Sequence, residues 1–192
     1  VKAMASQQVA PAYSRAKLLA GVDKLKAFTL SPEEVRHVPR ILAEAGVRLV
    51  LVEPMAGSKM DGACFWLEGD KPVIGMTLRF DRIDNFWFVL RHEIEHVLRE
   101  DGKANSQAVI DTDVGEDKAE LPECERQANA AGAEFCVSSA ELENFIARVQ
   151  PYFSEEKVLR FAQRINVHPG LVVGQLQRKL GRHDFLRKHQ VK

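Results

Sequence analysis

Two histidines and a glutamate within one short apolar stretch carry the clearest chemistry in this chain: His92-Glu93-x-x-His96, inside Phe86-Trp87-Phe88-Val89-Leu90-Arg91-His92-Glu93-Ile94-Glu95-His96-Val97-Leu98. On a helix, residues four apart leave the same side about one turn apart. His92 and His96 are therefore spaced to fill two adjacent corners of a zinc tetrahedron. Glu93 lies one step round the helix, beside the metal without pointing straight at it. That position suits a group that takes a proton from a metal-activated water. Phe86, Leu90, Ile94 and Val97 fall on the opposite face, so one side of the helix is expected to enter a core while the other faces a site.

A third ligand has to come from elsewhere. Residues 122–136 read as a helix with Pro122 near its first turn. Steps of three and four from Glu125 reach Ala128, Asn129, Gly132, Ala133 and Cys136, all small or short. A helix with such a stripe can approach another closely. Packed on the histidine helix, it would deliver Glu125 to the metal from the end of the stripe. The acids of the 101–121 stretch, Asp111 among them, are alternatives for the third ligand; Glu123 would point to a different side of the helix. Cys124 is close enough for a metal role, but a small buried hydrophobe is the expected reading.

The remaining elements must hold these two helices. A polar lead-in precedes a helix over 13–28 with Leu18, Leu19, Val22 and Leu25 as its apolar positions. Ser31-Pro32-Glu33-Glu34 is a helix start, with Ser as N-cap and Pro at the first helical position. That helix runs to 44 or 45 and ends at Gly46. Strands are expected at 47–53, 63–67 and 72–78, the last two joined by the turn residues Glu68-Gly69-Asp70-Lys71. The third strand is either a sheet edge for a peptide to pair with or an ordinary interior strand. Residues 101–121 form a polar, acidic loop, either a mobile surface segment or a lid. Helices starting at Ser138 or Ser139, at Ser154 and after His168-Pro169-Gly170 complete the chain. The fold class is α+β: a small antiparallel or mixed three-stranded sheet packed with helices, then a helical C-terminal part. Its division is a lead-in over 1–30, a metal-binding domain over 31–140 and a helical extension over 141–192.

With 27 basic and 27 acidic residues, the whole molecule has no net attraction for nucleic acid or membrane. The tail from Arg178 is basic, with Arg178, Lys179, Arg182, Arg187, Lys188 and Lys192 against Asp184. A solvated helix face is expected there, with no direct nucleic-acid binding by this chain. Three cysteines without C-x-x-C spacing, no run of transmembrane length and no signal-peptide core suggest a reducing, cytoplasmic setting. His37, His183 and His189 read as surface residues and His168 as a turn residue.

His92-Glu93-x-x-His96 followed by Glu125-x-x-Ala128-Asn129 and then Ala133-Glu134 resembles the ImmA/IrrE family of zinc metallopeptidases. The resemblance covers most of 31–140 and implies a zincin-like fold. It also implies Zn2+ held by His92, His96 and Glu125, with Glu93 as general base. The substrate it implies is a regulatory protein such as a helix-turn-helix repressor. The later helices resemble the C-terminal region of HigA-type antitoxins, in which a DNA-binding domain comes first. No helix-turn-helix is readable in the first 30 residues, so the chain is expected to be a fragment of a longer regulator or to act with a separate DNA-binding partner. The alternative function is a non-proteolytic, metal-binding sensor or interaction domain of such a regulator. Three positions depart from the family pattern: Glu95 in place of glycine, Ala131 in place of an aromatic, and Ser138 in place of proline. Glu95 is placed to offer a fourth ligand or to narrow the groove. Tyr152 and His168 are the only candidates for an extra oxyanion donor.

Overall fold

The histidine-bearing helix is apolar enough to be buried almost all round, and every other layer is built against it. The computed structural model describes residues 1–112, 114 and 121–192. In it the helix, α4, runs Ile83–Arg99 and buries Phe86, Leu90, Ile94 and Val97 together with Trp87, Phe88 and Val89. Before it come α1 (Lys2–Ser6), α2 (Arg15–Ala27), α3 (Val38–Glu44) and three strands, β1 (Arg48–Val52), β2 (Met60–Leu67) and β3 (Lys71–Thr77). After it come β4 (Val109–Thr112), α5 (Glu123–Cys136), α6 (Ser139–Val149), α7 (Glu155–Arg164) and α8 (Pro169–Leu180). The class is α+β. No helix among the described residues is long and apolar enough to cross a membrane.

The sheet has four strands where the sequence suggested three. Its order is β1-β3-β2-β4, with β1 parallel to β3 and the other two pairings antiparallel. One alternative is thereby decided and one expectation corrected. β3 is interior, hydrogen-bonded on both sides, so the edge beside the metal helix is β4. The polar 101–121 stretch contains a strand, because Val109-Ile110-Asp111-Thr112 has enough β-branched residues to pair with β2 despite its acidic flanks. The lid reading falls mostly on 113 and 115–120, which lie outside the described residues. Opposite β4, Met60 pairs with Thr112 and Gly62 with Asp111, leaving Asp61 as an extra residue in β2. Such a bulge kinks the strand and redirects neighbouring side chains. Asp61 is buried, and its carboxylate accepts the Val114 N–H at 2.9 Å, holding the chain just beyond β4.

One face of the sheet packs on α4. On the other, Val50, Leu67 and Val73 meet Ala5 of α1. The main core runs without a break from Leu18 and Leu25 of α2 through α4 to Leu171 and Leu176 of α8. The first turn of α4 is pinned from the C-terminal side. Arg82 grips Asp84 through two nitrogens, Gln190 donates to Asp84 at 3.1 Å, and Gly174 of α8 lies against the same carboxylate.

Local chemistry departs from expectation at three places. The Pro32 start gives a 3-10 turn over Pro32–His37 before α3, and Ser31 spends its hydroxyl on Glu33 at 2.6 Å instead of capping. Ser14 is the N-cap of α2 and accepts from the Lys17 N–H. Arg178, read as the start of a solvated tail, stacks on Phe88 with its guanidinium carbon 3.6 Å from the ring centroid.

The small-residue stripe does what its spacing implies. Ala128, Gly132 and Cys136 are buried on the side of α5 that meets α4. A Cβ added at Gly132 would lie 2.9 Å from the Phe88 carbonyl oxygen, an atom of the α4 backbone that cannot swing aside. Gly132→Ala is therefore expected to cost about 1–3 kcal/mol by overpacking, and also to weaken zinc binding by pushing Glu125 outward. Thermal denaturation alongside a zinc titration measures both.

Candidate metal centre

The C-terminal end of α4 sets the orientation of its second histidine. Glu100 adopts a left-handed conformation (φ 59°) and closes the helix, and the Asp101 N–H returns to the His96 carbonyl at 3.0 Å. This reversal carries the Asp101 side chain to His96 Nδ1, at 2.9 Å. The first histidine is oriented from the neighbouring helix, where Asn129 Oδ1 lies 3.1 Å from His92 Nδ1. Each Nδ1 thus faces an oxygen, which favours the tautomer with the ring proton on Nδ1 and a lone pair on Nε2.

Those two lone pairs converge. His92 Nε2 and His96 Nε2 are 3.0 Å apart, inside a wholly buried pocket. Around them stand two carboxylates. Glu125 places Oε2 3.5 Å from His92 Nε2 and Oε1 3.5 Å from His96 Nε2. Asp111 places Oδ2 3.6 Å from both. Ligands at about 2.0–2.2 Å in a tetrahedron sit about 3.4 Å from one another, so these separations fit a single shared ion. One donor atom from each of the four residues lies within 4.8 Å of the others. Asp111 Oδ2 is buried with no hydrogen-bond partner, which leaves it free to ligate. Two imidazoles and two carboxylates form a donor set that zinc accepts.

The electrostatics without a metal point the same way. Burial pulls His92 down, but Asp111 and Glu125 more than offset it and push its pKa up to about 9. For Asp111, burial works upward, and the facing His92 and His96 overcome it and hold the carboxyl low. A proton then stands in for the missing positive charge. Glu93 occupies the pocket floor, fully buried, with no hydrogen-bond partner on either oxygen. Burial, followed by the negative charges of Asp111 and Glu125, drives its pKa well above the usual carboxylate range. Its room comes from Gly62 on β2, where a Cβ would overlap Glu93 Oε1.

Of the residues singled out in the sequence, His92, Glu93, His96 and Glu125 are brought together. Glu123 turns outward to Arg126 and Gln127. Cys124 is half-buried, with Sγ 3.9 Å from Glu125 Oε1, and is not in the donor cluster. Glu95 is not the fourth donor: it pairs with Arg91 one turn back, at 2.8 Å. His168 caps α8 by accepting the Gly170 N–H, and Tyr152 is largely exposed, so neither joins the cluster. Asp111 also joins the cluster; sequence reasoning had it only among the alternatives of the acidic stretch and did not single it out. Its signal was the β-branched run around it, which marks a strand with Asp111 and Val109 on one face. No protein-family model matches the chain, and no curated protein matches it.

Two outcomes are expected. Zinc at 100 times its Kd adds about 2.7 kcal/mol to folding stability, which at about 2–4 °C per kcal/mol for this size raises Tm by roughly 5–10 °C. A chelator reverses the rise, as differential scanning fluorimetry would show. Asn129→Ala releases the His92 ring and lowers zinc affinity about 10–100-fold, measurable by competition with a chromophoric chelator.

Proposed function

We propose that this chain is a zinc-dependent endopeptidase domain of ImmA/IrrE type, acting on a regulatory protein such as a helix-turn-helix repressor. The observation that carries the reading is the convergence of His92 Nε2, His96 Nε2 and the Glu125 carboxylate on one point, with Glu93 beside it. His92, His96 and Glu125 would hold the ion. Bound zinc supplies Lewis-acid chemistry, acidifying a water and polarising a peptide carbonyl.

The other steps belong to the chain. Glu93 is the proton acceptor: it is walled from solvent beside the converging donors, and a bound divalent ion would offset the negative charges of Asp111 and Glu125 that otherwise keep a proton on it. It then donates that proton to the departing amine, as a general base turned general acid. Asp101 and Asn129 hold the imidazoles in one tautomer and orientation. β4, the end strand of the sheet, carries Asp111 into the site and offers its outer edge for an extended peptide to pair with. Burial of both histidines and Glu93 excludes bulk water from the reacting groups.

Zinc-loaded protein incubated with a proteome-derived peptide library, with cleavage read by mass spectrometry, tests the reading. Glu93→Gln is expected to keep its zinc and to lose cleavage by about 10²–10⁴-fold. Equal cleavage by both proteins removes Glu93 from the mechanism. Zinc binding without cleavage by the wild type favours the sensor reading over the peptidase.

A further inference from the structure

The fourth corner of the site is already taken by the protein. Resting on the metal-centre reading above, we infer that Asp111 is itself a metal ligand, so that the resting site is a closed His-His-Glu-Asp tetrahedron and a substrate carbonyl or water has to displace this carboxylate.

Four observations carry this. Asp111 Oδ2 is equidistant from the two imidazole nitrogens, 3.6 Å from each, and completes the tetrahedron that Glu125 only begins. The same oxygen is buried and has no hydrogen-bond partner. It meets the two imidazoles at ion-pair distance, and a buried carboxylate there is costly unless a positive charge, on a protonated imidazole or on a metal ion, faces it. The charge balance agrees: two neutral imidazoles and two carboxylates around a divalent ion sum to zero, whereas a three-residue set leaves the centre with a net positive charge. Finally, the backbone holds Asp111 in place. It faces Gly62 across the β2 bulge, and the following chain is tied to Asp61 through the Val114 N–H.

A closed set of four protein ligands is the mark of structural zinc, while catalytic zinc keeps one position open. This site sits between the two. Asp111 comes from the end strand of the sheet, which among the described residues pairs with one neighbour, while the other three ligands come from helices. Displacing β4, or pairing a peptide along its outer edge, would turn a latent centre into an open one. A regulatory peptidase with such a ligand would remain inactive until a partner or substrate engages that strand.

Cobalt substitution tests the assignment without relying on activity. Wild type, His92→Ala, Asp111→Asn and Asp111→Cys are each titrated with Co2+ and followed by visible absorption. The expected wild-type spectrum is that of a four-coordinate centre, unchanged by added azide. Asp111→Asn is expected to bind Co2+ at least 10-fold more weakly and to respond to azide, because its fourth position is open to solvent. Asp111→Cys is expected to gain a thiolate-to-cobalt charge-transfer band, a signal that appears only if position 111 reaches the metal. Unchanged affinity and azide response in Asp111→Asn, together with no charge-transfer band in Asp111→Cys, overturn the inference and leave the three-ligand centre standing. Equal Co2+ binding by the wild type and His92→Ala overturns the metal centre itself.

Discussion

Two buried imidazole nitrogens held 3.0 Å apart are the constraint on which this structure turns. In the favoured tautomers their lone pairs repel, and the oxygen facing each Nδ1 disfavours relief by a shift of the ring proton. A positive charge between them is needed. In the bare protein a proton on His92 supplies it; a divalent cation supplies it better, because Glu125 and Asp111 also face the same point. Much of the surrounding architecture can be understood as the means of holding those donors against their mutual repulsion.

Three structural devices do this, each traceable to particular residues. The left-handed Glu100 stops α4 and turns Asp101 back onto His96. The missing side chain at Gly132 brings α5 to within contact of the α4 backbone, which is how Asn129 reaches His92 and Glu125 reaches both rings. The missing side chain at Gly62 leaves the space that Glu93 fills, and the bulge at Asp61 sits where β2 faces Asp111. The C-terminal helices contribute at a distance, by locking the first turn of α4 through Asp84 and by burying Arg178 against Phe88. Glu95, on the partly exposed side of α4, is engaged with Arg91 and leaves the ion to others.

The α+β class, both site-bearing helices and the residues His92, Glu93, His96 and Glu125 were legible in the sequence, because each rests on periodicity within a single helix. The stripe from Ala128 to Cys136 even disclosed which side of α5 would face α4. Less was legible where neighbours compete with local propensity. Pro32 promised an α-helix and produced a 3-10 turn, since Ser31 bonds Glu33 and leaves the backbone uncapped. The strand Val109–Thr112 was hidden by the acids around it, and whether β3 was an edge or an interior strand stayed open because pairing partners are invisible in one chain.

By itself, the sequence determined that two histidines lie one helical turn apart with an acid between them, and that a second, small-faced helix carries a carboxylate able to meet them. Spacing along a helix is a local property, so no tertiary knowledge was required. Only the tertiary structure decided that Asp111 joins the cluster, that Asn129 and Asp101 orient the rings, and that Gly62 makes room for Glu93. Those relations join residues from separate elements, across a strand pairing and a helix crossing. Their physical cause is the packing of the sheet and two helices around one buried charge, which no window of sequence contains.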